Sequence, residues 1–201
     1  MLRIGVFGGS FDPVHNGHLL IARAALAEAR LDHLLFMPVF IQPFKIDSQM
    51  TAGEHRLAML ELALKDEADM SVTDIELRMK EVSYTINSLR VIREKYPKGS
   101  VLSFIMGSDM FMMLEKWYKS EELLQEFSFI VASRPGSDDE TTDRCAELLR
   151  RRFGADIMRL GNERADISST KIREELKKNK LSEGRIPDAV VKYINENGLY
   201  R

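Results

Sequence analysis

Short apolar runs alternate with longer segments of mixed apolar and polar residues along this chain. An uninterrupted apolar run is typical of a strand that is buried on both faces. Such runs, or an alternating pattern at 70–75, are found at residues 3–7, 34–40, 70–75, 101–107, 127–133 and 156–160. Helical spacing or helix start signals lie between them, at residues 19–27, 51–64, 83–92, 108–117, 143–153, 167–173 and 187–199. This order predicts an α/β fold with a doubly wound parallel sheet flanked by helices, in a single domain over residues 1–201.

The stretch from Gly8 to His18 connects the first predicted strand to the first predicted helix. Gly8 and Gly9 have no Cβ, so a ligand could approach the backbone closely there. The first turn of the following helix offers unpaired N–H groups and the positive end of the helix dipole, which together bind anions. His15 and His18 are spaced to share one face of that turn. The stretch therefore predicts a phosphate-binding site.

Other interpretations of this stretch are weaker. A Gly-Gly turn is common, and a single histidine is more often a packing or surface residue than a ligand. Two histidines at a helix start can also bind a metal ion. No third histidine, cysteine or acidic cluster with metal-ligand spacing stands nearby in the sequence, so no metal site formed by the protein is expected.

Composition limits the possible partners and the compartment. The chain is 44% hydrophobic and 30% charged, as in an ordinary globular protein, and its net charge of −2 does not point to nucleic acid or an acidic membrane. Cys145 is the single cysteine, which excludes an internal disulfide and favours a reducing cytoplasm. No signal-peptide pattern and no apolar run of membrane-spanning length is present. We expect a cytoplasmic protein.

The start of the second helix carries two further polar candidates. Thr51 and Glu54 have the spacing of a capping box, which predicts that Thr51 caps this helix. His55 and Arg56 then lie in the first turn, where a structural role and a contact with substrate are equally compatible with the sequence.

A second anion-binding pattern lies near the end of the chain, at residues 167–173. Three hydroxyl residues in a row at a helix start usually serve as caps. None of them is followed three residues later by Glu or Gln, so no capping box forms and the hydroxyls are expected to be free for an anion. Arg173 lies one turn into the helix and could bind the same oxygens in bidentate fashion. Taken alone, this pattern favours capping and anion binding equally.

Together the two patterns resemble the nucleotidyltransferase superfamily. Residues 9–18 read Gly-x-Phe-x-Pro-x-His-x-Gly-His, and residues 167–173 read Ile-Ser-Ser-Thr-x-Ile-Arg. Over almost the full length the chain looks like the bacterial nicotinate mononucleotide adenylyltransferases. The other residues that carry this resemblance are Pro43, Lys45, His55, Arg56, Leu57, Ser83, Tyr84, Thr85, Gly107, Ser108, Asp109, Trp117, Arg134, Pro135, Gly136, Tyr193, Ile194, Gly198, Leu199 and Tyr200. The pantetheine-phosphate adenylyltransferases share the two ends of this pattern but differ in the middle.

Four positions depart from the pattern of the family. Ser10 stands where Thr is common, Phe44 where many relatives have His, and Asn87 and Ser88 where an Asp-Thr pair is frequent. Ser10 keeps a hydroxyl, whereas Phe44 removes one possible phosphate donor beside Lys45.

The resemblance implies a Rossmann-like fold, a single nucleotidyltransferase domain and one reaction. An adenylyl group would pass from ATP to nicotinate mononucleotide, giving deamido-NAD and pyrophosphate by direct in-line attack, with magnesium bound to ATP. One alternative is an adenylyltransferase acting on nicotinamide mononucleotide or another phosphate acceptor. Another is a nucleotide-binding sensor without turnover, although the intact set of His15, His18 and Arg173 argues against it. The oligomeric state stays open, with a homo-oligomer as one option.

The resemblance also implies a role for individual residues. Phosphate handling in catalysis would fall to His18, His15, Arg173 and Lys45. ATP would bind to Gly8, Gly9, Ser10, Phe11, His15, His18, Gly107, Asp109, Ile167, Ser168 and Arg173. Nicotinate mononucleotide would bind to Tyr84, Thr85 and Trp117, with the indole stacked on the pyridine ring. Helix capping for Asp109 and core packing for Trp117 remain as alternatives.

Overall fold

A computed structural model describes residues 1–41, 50–133, 138–161, 167–180 and 183–201. Its strands form one six-stranded parallel sheet in the order β3-β2-β1-β4-β5-β6. These strands are β1 (Arg3–Gly9), β2 (His33–Pro38), β3 (Met70–Val72), β4 (Val101–Gly107), β5 (Ser128–Ala132) and β6 (Asp156–Arg159). The chain moves outward from β1 through β2 to β3 and then returns to place β4 on the other side of β1. The predicted doubly wound α/β fold is confirmed, and its strand order reverses between β1 and β4.

The helices follow the strands in alternation. They are α1 (Asn16–Glu28), α2 (Gly53–Ala63), α3 (Ile75–Met79), α4 (Thr85–Arg93), α5 (Ser108–Phe111), α6 (Ser120–Glu126), α7 (Asp139–Phe153), α8 (Ser169–Lys177) and α9 (Asp188–Glu196), with a short 3-10 turn at Leu114–Lys116. In the described part of the chain, no helix is long and apolar enough to cross a membrane.

Both faces of the sheet are buried, because side chains alternate along each strand. Phe7 of β1 and Ile105 of β4 belong to one core cluster, which is covered by α1, α2, α8 and α9. Val6 and Phe104, the preceding residues of the same strands, belong to a second cluster, which is covered by α3 to α7. Burial on both sides explains why these strands are nearly continuous apolar runs in the sequence.

Three details of the sequence interpretation are wrong or incomplete. The strand predicted over residues 70–75 ends at Val72, and Ile75 begins α3. Ala52, and not Thr51, occupies the N-cap of α2, so the predicted capping box is not formed. Separate helices α3 and α6 were not expected from the sequence, because 5 and 7 residues are too few to show a helical period.

Candidate active site

Several of the predicted site residues lie at the carboxyl ends of β1 and β4. Gly8 and Gly9 end β1, and Gly107 ends the neighbouring strand β4. His15 is the N-cap of α1, and Gly107 is the N-cap of α5, so two helix starts lie at this edge of the sheet. Asp109 is the second residue of α5 and is exposed. Ligands bind to doubly wound sheets at such a point of reversal.

The two glycines at the end of β1 make room for aromatic rings. A Cβ on Gly8 would lie 2.5 Å from Cζ of Phe104, and one on Gly9 would lie 3.0 Å from Cζ of Phe11. The Cβ directions of both residues are thus filled by protein side chains, so the prediction that the missing Cβ atoms leave this space to a ligand is wrong. Phe104 packs edge-on against Trp117, with ring centroids 6.0 Å apart. The ring of Phe104 therefore lies against Gly8 of the first motif and also contacts Trp117.

His15 and His18 form a stacked pair at the start of α1. Their ring centroids are 3.6 Å apart at an interplanar angle of 19°, which confirms that they share one face. The backbone N–H of His15 donates to Nδ1 of His18 at 3.2 Å. An Nδ1 that accepts leaves the proton of the neutral ring on Nε2, where it can be donated to an anion. Phe11 packs edge-on against His18 at 4.9 Å and limits its rotation.

The two predicted anion-binding motifs touch each other. Nη1 of Arg173 donates to the carbonyl oxygen of Asp12 at 2.6 Å, and Oγ of Ser169 donates to the carbonyl oxygen of Pro13 at 3.0 Å. The fold thus brings the start of α8 against the loop that precedes α1. Both motifs lie on one side of the sheet edge, as a single phosphate-binding site requires.

The hydroxyls at the start of α8 are less free than the sequence predicted. Oγ of Ser168 accepts a hydrogen bond from the backbone N–H of Lys171 at 3.2 Å, and Oγ of Ser169 is engaged by Pro13. Ser168 caps α8 without the help of a Glu or Gln, so the missing capping box did not imply a free hydroxyl. Its hydroxyl proton remains available to a phosphate oxygen, because the cap uses only a lone pair.

Arg56 has a structural role in the described structure. It is one of the largest fully buried side chains, with 2% of its surface exposed. Its guanidinium donates to three backbone carbonyls, those of Thr51 at 2.9 Å, Ser10 at 2.8 Å and Val39 at 2.8 Å. Burial lowers the pKa of this guanidinium, and the nearby carboxylate of Asp12 opposes that shift. Arg56 therefore joins the loop after β1, the end of β2 and the start of α2.

The segment that precedes α4 is fixed to the end of β2. The N–H of Ser83 donates to the carbonyl oxygen of Ile41 at 3.0 Å, and Oγ of Ser83 accepts from the N–H of Phe40 at 3.0 Å. Tyr84 and Thr85 follow as the N-cap and first residue of α4. These bonds place the predicted pyridine-nucleotide residues at the same edge of the sheet as the histidine pair.

One aromatic neighbour of these residues was not predicted from the sequence. Tyr118 follows Trp117 directly, and its ring packs on Tyr84 with centroids 4.6 Å apart. Both tyrosines are exposed, whereas Trp117 is half-buried against the second core cluster. Nε1 of Trp117 is buried and has no hydrogen-bond partner among the residues that the structure describes. In the sequence, Tyr118 directly follows the only tryptophan, and this position could have indicated that it belongs to the same aromatic group.

Part of the predicted site lies outside the described residues. Lys45 and the departure at Phe44 fall within residues 42–49, and Arg134 to Gly136 fall within residues 134–137. The departure at Ser88 is described, and its hydroxyl donates to the buried carboxylate of Glu76 at 2.7 Å. Burial raises the pKa of that carboxyl group. Within the described ranges, no group of three or more His, Cys, Asp or Glu side chains is placed to hold a metal ion.

Comparisons with known proteins agree with this geometry. The chain is 42% identical to the nicotinate-nucleotide adenylyltransferase of Bacillus subtilis (strain 168) over 100% of this chain and 99% of that protein. A solved structure of the Plasmodium falciparum nicotinic acid mononucleotide adenylyltransferase, complexed with NaAD, has a TM-score of 0.79 at 20% identity and covers 100% of this chain and 98% of its own. The same Plasmodium falciparum enzyme complexed with APC has a TM-score of 0.77, also at 20% identity, and again covers 100% of this chain and 98% of its own. A family model described as cytidylyltransferase-like matches residues 6–175. The chain therefore belongs to the cytidylyltransferase-like family and, within it, to the nicotinate-nucleotide adenylyltransferases.

Proposed function

We propose that this protein transfers the adenylyl group of ATP to nicotinate mononucleotide and releases pyrophosphate, a step of NAD biosynthesis. The observation that carries the proposal is the meeting of two anion-binding helix starts, those of α1 and α8, at the point where the strand order reverses. Phosphates of a nucleotide fit between them. The likeness to the relative from Bacillus subtilis supports the choice of acceptor.

The reaction needs no covalent intermediate. An oxygen of the 5′-phosphate of nicotinate mononucleotide attacks the α-phosphorus of ATP, and the bond from that phosphorus to the bridging oxygen of the β-phosphate breaks. A phosphate monoester dianion is already a nucleophile, so the protein has to orient the reactants and stabilise charge. Cys145 does not suit a nucleophilic role, because burial and the carboxylate of Glu115 raise the pKa of its thiol.

The described side chains divide this work between the two motifs. Nε2 of His18 donates to oxygens of the α- and β-phosphates, and His15 and Ser10 bind neighbouring oxygens. Arg173 and Ser168, at the start of α8, hold the departing pyrophosphate. Lys45, which lies outside the described residues, is a further candidate for binding this charge. Preorganised donors aimed at developing charge usually supply the greater part of the rate enhancement in such reactions.

Adenosine is held at the edge between β1 and β4. The backbone of Gly8 and Gly9 lines one side, with the buried ring of Phe11 packed against Gly9. Gly107 and Ile167 line the other side, and Asp109 accepts from a ribose hydroxyl. The exposed position of Asp109 at the carboxyl end of β4 suits this contact. MgATP is the substrate form of the nucleotide. Magnesium keeps most of its waters and binds phosphate oxygens readily, so it does not require a carboxylate cage from the protein.

Replacing Arg173 by lysine is expected to weaken ATP binding more than acceptor binding. Lysine keeps the charge but loses the planar fork, so it cannot hold both the Asp12 carbonyl and a phosphate oxygen with fixed geometry. A charge-assisted hydrogen bond contributes about 1.5–3 kcal/mol, which corresponds to roughly a tenfold or larger increase in the Kd for ATP. Calorimetry measures both constants. An unchanged Kd for ATP would count against a phosphate contact and leave Arg173 a structural role, through its hydrogen bonds to the carbonyl oxygen of Asp12 and the hydroxyl of Thr170.

The choice between acid and amide substrates tests the proposed function. The first-turn N–H groups of α4, after Tyr84, favour the carboxylate of nicotinate over the neutral amide of nicotinamide. The amide would turn its own NH₂ group toward these donors, at a cost of about 1–3 kcal/mol. We expect kcat/KM to favour nicotinate mononucleotide by at least about tenfold in a pyrophosphate-release assay.

Trp117→Ala is the companion experiment for this selectivity. Stacking of the indole should be similar for both pyridine rings, so the substitution should raise KM for both mononucleotides and leave their ratio nearly unchanged. Equal rates with both acceptors in the wild-type protein would instead support the alternative of a dual-specificity adenylyltransferase. A panel of other phosphate acceptors in the same assay tests the remaining alternative.

A further inference from the structure

The carboxylate of Asp12 is buried within the first motif, and the proposed reaction does not use it. Only 4% of the surface of Asp12 is exposed. Oδ2 accepts from the backbone N–H of Thr51 at 3.1 Å, and Oδ1 accepts from the hydroxyl of Tyr200 at 2.6 Å. A buried carboxylate with both oxygens engaged is held in one position, because losing either bond leaves a costly unpaired group.

Tyr200 reaches this carboxylate from the far end of the chain, 188 positions away. The chain reverses after α9, where Gly198 has a φ of 61° and the N–H of Leu199 donates to the carbonyl oxygen of Ile194 at 3.0 Å. Tyr200 itself has a φ of 62°. Burial and the bond to Asp12 raise the pKa of the Tyr200 phenol, so it stays a neutral donor at physiological pH.

The backbone of Asp12 and Pro13 links this carboxylate to both anion-binding motifs, because it is hydrogen-bonded to the start of α8 and leads directly into α1. The carbonyl oxygen of Asp12 accepts from Arg173 at 2.6 Å, and the next carbonyl, that of Pro13, accepts from Ser169 at 3.0 Å. In the other direction along the chain, the carbonyl of Ser10 is held by the buried Arg56. A shift of the Asp12 side chain would therefore move the fork of Arg173 relative to the start of α1.

We propose that Tyr200 is a positioning residue for the nucleotide phosphates, acting through Asp12 on Arg173 and on the loop before α1. The proposal rests on the proposed binding of ATP phosphates between α1 and α8. It gives the penultimate residue of the chain a role in nucleotide affinity and not only in packing. Small misplacements of a phosphate-binding group are costly, because reaction requires near-attack geometry.

Tyr200→Phe tests this role, and Tyr193→Phe is the matched control. The hydroxyl of Tyr193 likewise forms a side-chain hydrogen bond near the end of the chain, with Nδ1 of His55 at 2.9 Å, and among the described residues no hydrogen bond joins this hydroxyl to Asp12. Each variant loses one hydroxyl and keeps its ring. We expect Tyr200→Phe to raise the Kd for ATP by about fivefold to tenfold and Tyr193→Phe to change it by less than about twofold. Calorimetry with MgATP gives both values.

Steady-state kinetics separates positioning from simple destabilisation. Tyr200→Phe should raise KM for ATP and lower kcat, while KM for nicotinate mononucleotide stays within about twofold of the wild-type value. Equal effects of the two variants on the Kd for ATP, or equal increases of both KM values in Tyr200→Phe, would overturn the proposal. A lower Tm with unchanged nucleotide constants would overturn it as well.

Two further measurements separate a failure of the proposed function, or of folding, from a failure of the proposed role of Tyr200. If the wild-type protein bound ATP but did not use nicotinate mononucleotide, the proposed acceptor would be wrong, yet the Kd for ATP would still test Tyr200. If Tyr200→Phe did not fold, Asp12→Asn would take its place, since the amide keeps the shape of the carboxylate but changes its charge and one acceptor. Asp12→Asn should also weaken ATP binding, and a wild-type Kd would contradict the role of this contact.

Discussion

Replacing His18 by alanine is expected to lower kcat by about 100–1000-fold while changing the Kd for ATP much less. Nδ1 of His18 accepts from the N–H of His15, so the ring is oriented before substrate binds and Nε2 carries the proton of the neutral ring. Removing one preorganised donor to a charge that develops in the transition state typically costs about 2.7–4 kcal/mol. Steady-state pyrophosphate release with ATP and nicotinate mononucleotide measures kcat, and calorimetry measures the Kd.

His33→Ala is the matched control for His18→Ala. His33 opens β2 at the opposite end of the sheet, where Nε2 pairs with Oγ of Ser71 at 2.7 Å. Its removal also deletes an imidazole and one side-chain hydrogen bond, but it leaves the phosphate site intact, so kcat should stay near the wild-type value. Turnover of His18→Ala close to that of His33→Ala would contradict the assignment of His18 as the donor.

The features that the sequence predicted well are local in the chain. The stretch from Gly8 to His18 contains a strand end, a turn and a helix start, and each of these has its own residue signature. Continuous apolar runs, and the alternating pattern at residues 70–75, placed all six observed strands largely within the predicted ranges, and β3 is only shorter than expected. The spacing of His15 and His18 was enough to place both rings on one face.

The features that the sequence did not reveal depend on contacts between distant residues. Asp12 occurs in the first motif, but no local pattern shows that Tyr200 and Thr51 hold its two oxygens. The hydroxyls of residues 168 and 169 appeared free because capping was judged from the spacing of Glu and Gln alone, whereas their partners are a backbone N–H and the distant Pro13. For Arg56, the sequence was equally compatible with a structural role and a contact with substrate, and its three carbonyl partners identify the structural role.

Replacing Arg56 by methionine is expected to lower the free energy of unfolding by about 3 kcal/mol. Three backbone carbonyls, those of Thr51, Ser10 and Val39, would lose their donor, and each unsatisfied buried polar group costs about 1–3 kcal/mol. The buried carboxylates of Asp12 and Glu76 would also lose a nearby positive charge. Part of this cost is offset, because the variant no longer has to desolvate a guanidinium. For a chain of this size the change corresponds to roughly 6–12 °C in Tm.

Arg23→Met is the matched control for this prediction. Arg23 pairs with Glu67 on the surface, and 59% of its side chain is exposed, so its removal should cost less than about 1 kcal/mol. Chemical denaturation of both variants measures the free energies directly. Ser10 lies two residues before Asp12, and the N–H of Thr51 binds the Asp12 carboxylate. Because Arg56 holds the carbonyls of both, Arg56→Met should also weaken ATP binding at temperatures where the variant is still folded. A stability equal to that of Arg23→Met would show that the three carbonyls find other donors and that Arg56 does not hold the phosphate loop in place.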